Sequence, residues 1–211
     1  MLPTITQTAI ELPPGTRLQF PATLADYEQL VEQLRDRASI RIRFHENQIF
    51  LMAPLPEHGN QADVLSDLVK ALLRHQQQDW QSFDPITLRQ TGLPGVEPDA
   101  CFYIQNRQAI LGKQRIDLNQ DPPPDLALEI DLTAMTAIAD YVPLAVPEVW
   151  IYKLDNLKIY QFANNRYLER DTSQVFPGIP VKDIIPKYVN RAWHVGSSIA
   201  LREFEQFLLS G

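Results

Sequence analysis

The feature that most constrains this chain is the segment Pro122-Pro-Pro-Asp-Leu-Ala-Leu-Glu-Ile-Asp131. Proline has no backbone N–H to give to a sheet and pushes its neighbour toward extended structure, so the proline run hands over to a strand, Asp125–Asp131. Side chains alternate along a strand. Leu126, Leu128 and Ile130 therefore share one face, while Ala127, Glu129 and Asp131 share the other. A strand this apolar reads as central in a sheet, with two carboxylates aimed from one of its faces.

The flanking elements set the architecture. Residues 1–22 carry scattered prolines and little periodicity, and read as an extended arm ahead of a single domain, 23–211. Thr23 looks like an N-cap, and Leu24, Tyr27, Val31 and Leu34 follow at helical spacing on a helix ending near Arg37. Ile40, Ile42 and Phe44 alternate as a strand, His45–Gln48 turns, and Ile49–Met52 returns. A long helix is expected over Glu57–Trp80, then strands at Pro85–Gln90, Pro98–Ile104 and Asp125–Asp131. A short helix over Thr133–Leu144, a strand at Glu148–Lys153 and a hairpin through Asn164-Asn165 come next, with a last helix at Ser198–Leu209. The central order is helix, three strands, helix, strand, which makes an α/β or α+β sandwich around one mixed sheet.

Composition narrows the function classes. No apolar stretch approaches the roughly 18 residues of a membrane span, and Met1–Gly15 lacks the basic-then-apolar pattern of a secretory signal. The single cysteine, Cys101, excludes an internal disulfide framework and a multi-cysteine zinc site, so a cytoplasmic setting is expected. Net charge is −7, from 19 Lys+Arg and 26 Asp+Glu. Binding nucleic acid by blanket phosphate neutralisation calls for a basic surplus; here a local patch and metal ions would have to serve. The dense basic stretch Arg35, Arg37, Arg41, Arg43 reads first as a solvated helix end and strand, since charge runs are commonly solvated surface. Ser197-Ser198 lacks the nucleophile-elbow pattern, and there is no phosphate-cradling glycine loop.

Asp99, Glu129 and Asp131 are the residues most suited to chemistry. Carboxylates on an apolar strand are costly unless their charge is compensated. A divalent cation is the simplest compensator, because Mg²⁺ takes one or two carboxylates plus waters and substrate phosphate. The alternatives are that the pair ends the strand in solvent, or that Asp131 caps the next helix. Glu57 opens the long helix, where the macrodipole favours an acid in any case. His58 beside it could ligate metal, relay protons or sit in solvent. Cys101, on Asp99's strand face, reads as a small buried hydrophobe.

Gly95-Val-Glu-Pro-Asp-Ala-Cys-Phe-Tyr-Ile104, Pro124-Asp-Leu-Ala-Leu-Glu-Ile-Asp-Leu-Thr133 and Val146-Pro-Glu-Val-Trp-Ile-Tyr152 strongly resemble the Uma-two family, abundant in cyanobacteria and described as restriction endonucleases. Pro54–His58 resembles the family segment before the long helix, and the likeness runs from about Thr23 to Arg170. It implies the PD-(D/E)xK nuclease-like superfamily: a restriction-endonuclease-like mixed sheet flanked by helices, core order α-β-β-β-α-β, here with an added N-terminal helix and hairpin. It further implies DNA as substrate and a site of Asp99, Glu129 and Asp131, which Glu57 or His58 would approach. Asp99 and Glu129 would hold Mg²⁺ (or Mn²⁺) for phosphodiester hydrolysis, and a homodimer is compatible with the family. The chain departs from the pattern at one point. The superfamily lysine is expected two residues after the second acid, where Asp131 stands, or on the following helix, where Met135 and Ala137 stand. Either Asp131 helps build the site and a more distant group, Lys153 for example, completes it, or the protein is a catalytically impaired binding or assembly module. Hydrolysis of a substrate other than nucleic acid is a third reading.

Overall fold

The computed structural model describes residues 13–33, 40–53, 55–132 and 137–210. Its contacts divide into two units, residues 1–59 and 60–211.

The first unit is a three-stranded antiparallel sheet in the order β1-β3-β2 with one helix. β1 (Arg17–Pro21) lies inside the stretch expected to be an arm, and pairs with β3 (Gln48–Met52). Backbone pairing captures this segment although its side chains show little periodicity. β2 (Arg41–His45) forms the expected hairpin with β3, and Glu46 and Asn47 adopt positive φ in its two-residue turn. Helix α1 (Leu24–Gln33) is capped as Thr23 predicts. The Asp26 N–H donates to Thr23 Oγ1 at 3.2 Å, and the Thr23 N–H returns to Asp26 Oδ2 at 2.8 Å. Arg35 and Arg37 lie outside the described residues. Tyr27, Leu30, Ile42, Ile49 and Leu51 form this unit's core.

Helix α2 (Pro56–His75) stops five residues before Trp80. Gln77 takes a left-handed φ of 55°, and the Gln77 and Gln78 N–H groups donate back to Arg74 and Leu73, closing the last turn. The second unit carries a six-stranded mixed sheet in the order β4-β5-β6-β7-β8-β9. β4 is Gln81–Phe83, β5 Ala100–Tyr103, β6 Leu126–Ile130, β7 Glu148–Lys153, β8 Asn156–Ala163 and β9 Arg166–Arg170. The strand expected at Pro85–Gln90 is instead a loop holding one bridge, Leu88 to Val96, because prolines at 85 and 94 interrupt any longer ladder. Helix α3 (Arg107–Ile110) is a single turn in the connection to β6.

The short helix expected at Thr133–Leu144 is a 3₁₀ helix, Ile138–Leu144, with Pro143 inside it. Ala137 precedes it in extended conformation, and Met135 falls outside the described residues. A helix with no counterpart in the sequence reading, α4 (Val181–Val195), precedes α5 (Ser197–Ser210). One face of the sheet, with Leu126, Leu128, Ile130, Trp150 and Tyr152, packs in the main core with residues of α2, α4 and α5. The other face, with Ala127, Val149 and Ile151, packs against Tyr141 and Leu144 of the 3₁₀ helix.

Candidate active site

β6 is a central strand where the pairing sense changes. β5 runs antiparallel to it on one side and β7 parallel on the other. The start of β5, the end of β6 and the end of β7 therefore meet at one end of the sheet, in its middle rather than at an edge. Extending the Ala100–Leu128 pairing by one residue sets Asp99 opposite Glu129. Extending the Ile130–Tyr152 pairing by one sets Asp131 opposite Lys153. Paired residues point to the same face, so all four stand on the side of Ala127 and Ile151.

Each carboxylate is nearly out of solvent: Asp99 is 5%, Glu129 8% and Asp131 4% exposed. Each also has a donor that fixes it. Asp99 Oδ2 accepts from the Ile130 backbone N–H at 2.7 Å. Asp99 lies one residue ahead of β5, and its side chain accepts where a ladder carbonyl would. Glu129 Oε1 accepts from the Tyr141 hydroxyl at 2.5 Å. Asp131 Oδ2 accepts from Lys153 Nζ at 3.0 Å. The Tyr141 ring is buried in the second core, and Tyr167 Oη donates to the Val146 carbonyl at 2.8 Å just beyond the helix and to the Tyr141 carbonyl at 3.4 Å. Burial, then the charge of Glu129 and its hydrogen bond, then the charge of Asp99, keep the Tyr141 phenol well above its ordinary range. It stays a donor. Cys101 lies on the same face; burial, with the Asp84 charge behind it, pushes its thiol up to about 12. It is no nucleophile near neutral pH.

Glu57 and His58 occupy the first turn of α2, in the first unit; His58 is buried and Glu57 half-buried. Asp99, Glu129 and Asp131 are brought together within the second unit. The sequence reading missed Tyr141 as a partner of Glu129, for a tyrosine on a one-sided turn leaves no periodic trace. It named Lys153 only as one example of a distant group, although in-register pairing from Glu148 onward carries that residue to Asp131. Among the described residues, no group of three or more His, Cys, Asp or Glu is clustered tightly enough to cage a metal ion by itself.

A mixed sheet ordered this way, with helices on its faces, is the fold of nucleases of the restriction-endonuclease type. A crystal structure from Anabaena variabilis, described as that of a "putative nuclease belonging to DUF820", matches it with a TM-score of 0.51 at 14% identity, over 80% of this chain and 99% of that one. The Uma2 family model, described as "Putative restriction endonuclease", matches residues 24–192. The chain belongs to that family. No curated protein matches it. No described helix is long and apolar enough to cross a membrane.

Proposed function

We propose that this protein is a divalent-metal-dependent endonuclease acting on DNA, with Asp99 and Glu129 as the metal-holding carboxylates. The observation that carries the reading is their placement side by side at the centre of the sheet, one residue beyond the Ala100–Leu128 pair, each oriented by a donor of its own. Family membership points the same way. The donor set fits Mg²⁺ or Mn²⁺: hard carboxylate oxygens, two of them protein-held, leave the remaining positions for waters and a phosphate, which is the way Mg²⁺ is ordinarily bound. Such an ion, when bound, polarises a phosphoryl oxygen and lowers the pKa of a water. The chain's residues supply the rest. The Ile130 N–H and Tyr141 hydroxyl hold two carboxylates in place without neutralising them, and Asp131 keeps the neighbouring lysine close. Glu57 and His58 have no part in this proposal.

Position 131, and the lack of a cation at Ala137, favour a second reading: a nuclease-fold module that binds without cutting. One assay separates the two. Plasmid and single-stranded DNA are incubated with native protein, Asp99→Ala and Glu129→Gln, in Mg²⁺ or Mn²⁺. Cleavage by native protein alone supports the enzyme. Native protein no more active than the variants, with DNA retained in a gel shift, supports the module.

A further inference from the structure

Phosphodiester hydrolysis builds negative charge on the phosphoryl oxygens, and a preorganised cation aimed at that charge is among the largest contributions a site makes. On the sheet face that bears Asp99, Glu129 and Asp131, the strands carry two cations, Lys153 and Lys158. Lys158 stands two strands away from Glu129, across Ile151, and its ammonium meets Glu169 at 3.3 Å on the outer pair of strands. Lys153 stands on the adjacent strand, directly beside the acids.

Resting on the nuclease reading above, we infer that Lys153 is the cation that meets the substrate phosphate, and that Asp131 is its positioning residue. The asymmetry of the pair supports this. The Asp131 side chain is 5% exposed and that of Lys153 37%, so a buried carboxylate anchors a lysine whose stem reaches solvent and can pivot. The plain structural alternative is that Lys153 only neutralises Asp131.

Three variants decide between these: Lys153→Met, Lys153→Arg, and Asp131→Asn combined with Lys153→Met, which removes the pair with no net change of charge. The readouts are metal-dependent cleavage, the melting shift produced by Mn²⁺, and binding of a DNA oligonucleotide in Ca²⁺. Lys153→Met is expected to cut about 10²–10³-fold more slowly and to bind DNA more weakly. Its Mn²⁺-induced melting shift should equal or exceed that of native protein, since a cation that repels the metal is gone. The double variant should remain slow, and Lys153→Arg should keep part of the rate. Recovery of cleavage in the double variant would overturn the inference, because neutralisation alone would then suffice. So would full cleavage by Lys153→Met, with Glu129→Gln inactive, and in that case the nuclease reading stands. If native protein and Glu129→Gln are equally inactive, the nuclease reading fails and the inference falls with it.

Discussion

Tyr141→Phe removes one oxygen and nothing else. The ring stays in the core formed with Ala127, Val149 and Ile151, so no cavity opens. What is lost is the 2.5 Å donor to Glu129, on a carboxylate only 8% exposed that cannot turn to bulk water for a replacement. A hydrogen bond to a charged group is worth about 1.5–3 kcal/mol. At roughly 2–4 °C per kcal/mol for a chain of this size, the metal-free melting temperature should fall by about 3–12 °C. Differential scanning fluorimetry at pH 7.5, with and without Mn²⁺, measures it. If Glu129 faces a metal, the ion supplies what the hydroxyl no longer does, and the gap between native and variant should narrow in Mn²⁺. A variant melting within about 1 °C of native in metal-free buffer would show that the hydroxyl holds nothing, and would refute the orienting role given to it.

Alkaline conditions probe the same group from the other side. The phenols of Tyr141, Tyr103 and Tyr167 are all held above their ordinary value of 10.0, chiefly by burial. An unfolded chain therefore loses these protons at lower pH than the native one, and the phenols' contribution to stability should be flat below about pH 10 and decline above it. Absorbance at 295 nm should show these tyrosinates appearing together with unfolding, not before it. Cys101, its thiol pushed up to about 12 and buried, should resist iodoacetamide at pH 8 in native protein and react on denaturation; rapid native labelling would contradict its placement. Glu148 accepts from the Trp150 indole and the Gln174 N–H, each at 2.7 Å, and from Ser173 and Gln161. Glu148→Ala strands the buried Trp150 and Ser173 donors and should cost about 3 kcal/mol or more in urea denaturation, with metal-dependent cleavage per folded molecule unchanged.

Much of the fold could be read from local chemistry. β7 begins and ends at the expected residues, and Asn164 and Asn165 adopt the positive φ their side chains tolerate. α4 was hidden by Pro186 within it and Pro180 before it, which break the helical signal although Val181, Ile184, Ile185, Tyr188, Val189 and Ala192 keep helical spacing. β1 was hidden because an edge strand needs only backbone pairing. The site divides in the same way. Alternation along β6 puts Glu129 and Asp131 on one face with no help from the rest of the chain. The partners Tyr141 and Lys153 depend on how separate segments register against each other, which no local pattern encodes.

The change of pairing sense at β6 also bears on when the site can exist during folding. Asp99 and Glu129 are 30 residues apart in sequence, and Lys153 follows Asp131 by 22. Neither a tight hairpin nor helix formation brings them together; the β5–β6 and parallel β6–β7 ladders must both form, and such non-local pairings are made late and slowly. A nascent or partly unfolded chain thus carries the acids without their geometry. Any cutting activity is therefore confined to molecules whose sheet is complete.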